Sequence, residues 1–97
     1  MASTPEGRVK AAVKKLLKDY GVWFFMPIGG PFARMGVPDF SCMAPGGKAF
    51  FIETKAPGKL RTLTANQSNC HDEIRSVGGV VLVIDDVAPL KEYLDGI

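Results

Sequence analysis

The apolar positions Val9, Ala12, Val13, Leu16, Leu17 and Tyr20 recur at helical spacing, the pattern of a helix with one face turned to a core. Thr4-Pro5 supplies its start: a Thr side chain can accept from the free N–H groups of the first turn, and Pro at the first helical position sacrifices no hydrogen bond. Gly21 supplies the stop. The pattern then changes period. Residues 22–26 (Val-Trp-Phe-Phe-Met) are β-branched and aromatic and read as strand, and residues 27–38, with Gly29-Gly30 inside, read as loop. Residues 40–44 and 49–54 are two further strand-like runs, joined by Pro45-Gly46-Gly47-Lys48, which is turn chemistry of hairpin length. Thr64 is placed to cap a second helix with Gln67, Cys70, Ile74 and Val77 inward and Gly78-Gly79 closing it. Residues 80–84 form an unbroken apolar run suited to a central strand, and Asp86 is placed to cap a last short helix with Leu90 and Leu94 inward. The order is αβββαβα. The crossover from residues 49–54 through the second helix to residues 80–84 predicts a parallel pair with a right-handed connection, hence an α/β fold with a mixed sheet flanked by helices.

Two positions break the pattern. Extending the first helical stripe back by one turn reaches Glu6, and Gln67 heads the second stripe. A polar group on a buried-facing stripe loses hydration without an obvious partner.

At 97 residues the chain is expected to form one domain, burying roughly 60 to 65% of its unfolded surface. Twelve Lys and Arg against ten Asp and Glu leave a net charge of +2, too small by itself to indicate a polyanionic partner. The charges are segregated, however. Residues 1–20 hold five bases against Glu6 and Asp19, residues 34–61 hold five against Asp39 and Glu53, and the last 18 residues carry net −3. A basic half and an acidic end suit a protein one face of which meets a polyanion, although a charged helix face is more often merely solvated. The two cysteines, Cys42 and Cys70, form no C-x-x-C pair and no disulfide framework, which suits a reduced, intracellular setting. The first seven residues show no leader pattern, and the longest apolar run is too short to span a bilayer.

The chemistry converges on the hairpin. Folding about Gly46-Gly47 brings Asp39 opposite residue 53 or 54, and strand alternation puts Phe51, Glu53 and Lys55 on one face, Phe50 and Ile52 on the other. Two close carboxylates repel unless cationic charge is nearby, and Lys55 supplies one charge only. With Glu6 arriving from the first helix the sum is three negatives and one positive, a deficit suited to a hard divalent cation, Mg²⁺ or Mn²⁺.

Pro38-Asp39, followed after thirteen residues by Glu53-Thr54-Lys55, resembles the PD-(D/E)XK nuclease motif. Glu6, the string Gly36-Val37-Pro38-Asp39-Phe40, the string Phe51-Ile52-Glu53-Thr54-Lys55-Ala56-Pro57, and Gln67 together look like the VRR-NUC (virus-type replication-repair nuclease) family, over residues 6–84. The resemblance implies a restriction-endonuclease-like fold and a metal-dependent endodeoxyribonuclease. It implies further that Asp39, Glu53 and the Thr54 carbonyl bind the metal, that Glu6 helps, and that Lys55 and Gln67 complete the site. Stand-alone domains of this family, from bacteria and viruses, are similar to Holliday-junction resolvases that nick four-way DNA junctions as homodimers. Branched DNA, a homodimer and a role in DNA repair are therefore expected, in a bacterial or phage-encoded protein. Related nucleases often carry Tyr four residues after the Gln, where this chain has His71.

Simpler readings compete. Glu6 could serve the helix dipole, Thr64-x-x-Gln67 is a capping box that needs no active site, and a Glu-x-Lys at a strand edge is common in solvated hairpins. A non-catalytic DNA-binding module and a restriction-like nuclease of plain duplex are the alternative functions. A zinc site from His71, Cys42 and Cys70 lacks paired spacing and a fourth ligand. His71 is expected on the helix surface, both cysteines in the core, and Trp23, Phe24 and Phe25 in the core rather than stacked on bases. Arg34, Lys59 and Arg61, in loops bracketing the site, are expected to contact phosphate.

Overall fold

In the computed structural model, which describes residues 4–97, Thr4 caps the first helix as expected: its Oγ1 accepts from Gly7 N at 2.9 Å, with Pro5 in the first turn. Residues 1–3, part of the stretch read above as lacking a leader, lie outside the described residues. The elements are α1 (Pro5–Asp19), β1 (Trp23–Phe25), β2 (Phe40–Ala44), β3 (Lys48–Thr54), α2 (Ala65–Ser76), β4 (Val81–Ile84) and α3 (Ala88–Gly96), the order expected from the sequence. Among the described residues no helix is long and apolar enough to cross a membrane.

The four strands form one sheet in the order β1-β2-β3-β4. β1, β2 and β3 pair antiparallel and β3 pairs parallel with β4, so the sheet is mixed, as the crossover required. The β2–β3 connection is one residue shorter than the sequence suggested, because Lys48 already pairs with Ala44. Gly46 and Gly47 both take positive φ (87° and 81°), open to glycine without steric cost, and Gly47 N closes the turn onto Ala44 O at 3.1 Å. β1 and β4 lose their expected end residues Val22, Met26 and Val80, although Val80 O still accepts from Phe51 N at 2.9 Å.

One face of the sheet is sealed. Val9, Val13 and Leu17 of α1 and Leu90 and Leu94 of α3 pack on Phe40, Cys42, Ala44, Phe50, Ile52 and Ile84. Each of the larger side chains gains roughly 1.5–3 kcal/mol by leaving water. Ala12, expected inward, lies outside this stripe and is exposed. Burial pushes the Cys42 thiol up to about 12, so it stays neutral as a small core group.

The opposite face is covered only in part. α2 crosses from β3 to β4 and turns Cys70 and His71 inward, while Arg75 Nη2 donates to Val81 O at 3.0 Å. No helix covers the β1–β2 side of this face, and Trp23 (64% exposed), Phe25 and Met43 stand open on it; Trp23 pairs across from Met43 and its ring meets Phe25 edge to face. The expectation that Trp23 and Phe25 are core residues therefore fails, and only Phe24, which turns to the sealed face against Phe40, packs inward. Val77, also expected inward, is exposed because α2 has ended at Ser76 and Val77 is only its C-cap. The last helix starts one residue later than expected, at Ala88, with Val87 rather than Asp86 in the cap position and no side-chain cap; Asp86 Oδ1 accepts from Val87 N.

Candidate active site

Asp39 immediately precedes β2, and the pairing of Phe40 with Ile52 carries it opposite Glu53, as the hairpin geometry required. Its Oδ2 accepts from Thr54 N at 2.9 Å and Thr54 Oγ1 at 2.7 Å, which fixes the carboxylate on the end of β3. Glu53, Thr54 and Lys55 are consecutive and all buried, an arrangement that places three polar side chains out of water at one strand end. Such a cluster is stable only if its members satisfy one another.

Gln67 does most of this. Its Oε1 accepts from Lys55 Nζ at 3.0 Å and from Thr64 N at 3.0 Å, and its Nε2 donates to Glu53 Oε2 at 3.3 Å. Gln67 N in turn donates to Thr64 Oγ1 at 3.1 Å, completing a reciprocal capping box. The capping role and the site role are thus held by one side chain. Lys55 Nζ also donates to Thr62 O at 3.3 Å, so the ammonium is anchored by both the 55–64 loop and α2. That loop is tied to the far strand by Gly58 N, which donates to Asp85 Oδ2 at 2.9 Å.

Burial above all pushes Glu53 up to about 8, with the Asp39 charge and a hydrogen bond to Asp39 adding to it and Lys55 opposing. Without further positive charge the Asp39–Glu53 pair therefore holds a proton at neutral pH. Glu6, from the first turn of α1, stands off at an ion pair with Lys10 (3.1 Å), near enough for its charge to raise Glu53 further. Burial pulls the Lys10 ammonium down, but its hydrogen bond to Glu6 and the charges of Asp39, Glu6 and Glu53 outweigh this and leave it raised. Sequence reasoning overlooked Lys10; its place one helical turn after Glu6 was the available signal.

His71 was missed more seriously. Expected on the helix surface, it is fully buried, with Nε2 3.6 Å from Glu53 Oε1. Its place four residues after Gln67, on the same helix face and where related nucleases often carry Tyr, was the available signal.

The three basic residues assigned to phosphate differ. Lys59 and Arg61 are exposed on the 55–64 loop beside Lys55, whereas the Arg34 guanidinium is ion-paired with Glu73 of α2. Between the 27–38 loop and the first turn of α2 lies a cleft of about 700 Å³, with Asp39 and Gln67 in its lining. The loop is pressed on the helix at Gly36: at φ +80°, a Cβ there would fall 2.1 Å from Asn66 O, so only glycine fits.

Among the described residues no three His, Cys, Asp or Glu side chains form a closed metal cage. The donor set instead suits Mg²⁺ or Mn²⁺ in its usual form, one or two carboxylates completed by water and substrate phosphate. Glu53 Oε1 is buried without a hydrogen-bond partner, and the neighbouring Asp39 makes the pair short of positive charge.

No family model matches the sequence, and no curated protein matches it. A solved structure does. Described as a "VRR_NUC domain", it aligns with a TM-score of 0.82 at 22% identity, covering 96% of this chain and 97% of that one. The two share the fold, end to end, and the sequence-level expectation of αβββαβα architecture is met in every element.

Proposed function

We propose that the protein is a divalent-metal-dependent DNA endonuclease of the VRR-NUC kind, acting on branched DNA. The observation that carries this reading is the joining of Lys55, Gln67, Glu53 and Asp39 into one buried, charge-deficient cluster at the edge of a cleft. A solvated hairpin has no reason to bury three polar residues in succession, and a plain binding module has no reason to tie a buried lysine and a buried glutamate to one glutamine.

Asp39, Glu53 and the Thr54 carbonyl would hold Mg²⁺ or Mn²⁺, with Glu6 assisting from α1. A cation held there would neutralise the carboxylates and supply Lewis-acid chemistry toward phosphate and water. The chain's own residues do the rest. Asp39 is oriented by Thr54, and Glu53 by Gln67. Lys55, its ammonium fixed by Gln67 and Thr62, meets the negative charge that develops on phosphate as the oxygen of water bonds to phosphorus and an ester P–O bond breaks. At about 4 Å and an effective dielectric of 20 such a charge contact is worth on the order of 4 kcal/mol. Lys59 and Arg61 grip the flanking phosphates, and Arg34 joins them only by releasing Glu73.

The test is cleavage of labelled four-way junction, flap and linear duplex with Mg²⁺ or Mn²⁺, beside Asp39→Asn and Lys55→Ala. Junction and flap are expected to be cut in preference to duplex, and both variants to lose activity; cleavage surviving both substitutions sinks the assignment. Equal cutting of all three substrates would mean a restriction-like duplex nuclease, and salt-sensitive binding without cleavage would mean a binding module.

A homodimer belongs to the same reading. Trp23, Phe25 and Met43 form an exposed apolar patch on the face of the sheet that carries Glu53, and a second copy of the chain would cover it.

A further inference from the structure

α2 presents two side chains to one carboxylate. Gln67 donates to Glu53 Oε2 at 3.3 Å, and one turn later, on the same helix face, His71 Nε2 faces Glu53 Oε1 at 3.6 Å. The second contact is not a hydrogen bond: it is about half an ångström too long. Yet Oε1, Nε2 and Nδ1 are all buried and all lack a partner. Groups left so each cost on the order of 1–3 kcal/mol, and native interiors rarely keep two of them face to face unless another state of the protein joins them. A neutral imidazole carries one N–H, which Nε2 can hold toward Glu53.

We propose that His71 is a positioning residue for Glu53: with a cation held at Asp39 and Glu53, its Nε2–H donates to Glu53 Oε1, so that His71 and Gln67 fix the two oxygens of the carboxylate between them. A cation held at Asp39 and Glu53 would fix the carboxylate in place, and a shift of about half an ångström would then close the gap between Oε1 and Nε2. His71 touches neither substrate nor the reacting atoms and acts through Glu53. The inference rests on the metal-dependent reading above, but its geometry does not.

Partners of a ligating carboxylate typically tune metal affinity 10- to 100-fold. The experiment measures Mn²⁺ binding by calorimetry for the wild type, for His71→Leu, which fills the space without a donor, and for His71→Gln, which restores an N–H. Leu is expected to weaken Mn²⁺ about 10- to 100-fold and Gln to recover most of the loss. His71 is the single histidine of the chain, so its ring nitrogens can also be followed by NMR without ambiguity. Saturating Mg²⁺ is expected to move the Nε2–H proton downfield in the wild type. This second measurement decides the matter if His71→Leu does not fold.

Equal Mn²⁺ affinity in the three proteins, or an imidazole signal indifferent to Mg²⁺, overturns the proposal and leaves the nuclease reading standing. Nitrogen coupling in the Mn²⁺ spin-resonance spectrum also overturns it, by making His71 a direct ligand. A wild type that binds no Mn²⁺ overturns both readings together.

Discussion

Lys55 Nζ and Gln67 Oε1 meet at 3.0 Å, and the same oxygen accepts the Thr64 N–H, so the start of α2 and the site lysine are held by one atom. Replacing Gln67 by Ala is therefore expected to act twice. Loss of the capping bond lowers stability by about 1 kcal/mol, read by urea denaturation. Release of Lys55 and Glu53 lowers single-turnover cleavage by about 10-fold or more, a loss out of proportion to the first effect.

Glu53 gives a pH dependence of unusual sign. Its carboxyl is raised from the ordinary range to about 8 in the metal-free fold, so between roughly pH 4.5 and 8 the folded chain binds a proton that the unfolded chain has released. Stability from this group is full below the unfolded value and is lost as pH rises through the folded one. The melting temperature of the metal-free protein is expected to fall from pH 5 to pH 8.5, and Glu53→Gln to flatten that slope. Excess Mg²⁺ is expected to restore stability at the alkaline end.

Lys59 and Arg61 are expected to carry salt-sensitive DNA affinity, and Arg34 much less, since Glu73 already balances it. In an Asp39→Asn background, expected to be inactive, fluorescence anisotropy across a salt series is the measurement. Lys59→Ala and Arg61→Ala should each reduce the log–log slope by about 0.9, as expected for one lost phosphate contact. A larger slope change for Arg34→Ala than for either would reverse the assignment.

Trp23 is expected to govern association. Trp23→Lys puts a charge in the exposed patch formed with Phe25 and Met43, outside the core cluster. Light scattering at micromolar concentration is expected to show a dimer for the wild type and a monomer for the variant, with the thermal melt of the monomer otherwise cooperative. A wild-type monomer would remove the homodimer.

What the sequence made legible follows from what is local. Val9, Val13 and Leu17 repeat at the helical period because they meet one core, and Gly46-Gly47 announces a turn because little else tolerates that backbone. The placement of Asp39 beside Glu53 followed from hairpin arithmetic. What stayed illegible is tertiary. Trp23 and Phe25 look like core residues on a strand, and are exposed because no helix covers that side of the sheet; nothing near them in the chain says so. His71 reads as a surface residue, and it is buried because α2 turns it inward against Glu53, eighteen positions earlier in the chain and on another element. Gln67 misled in neither direction: the capping box and the site contact are both real.

Gly36 lies on Asn66 and Gln67 with no room for even a methyl group. The 27–38 loop and the head of α2 are thus joined main chain to main chain, so that any side chain at position 36 would force the two walls of the cleft apart.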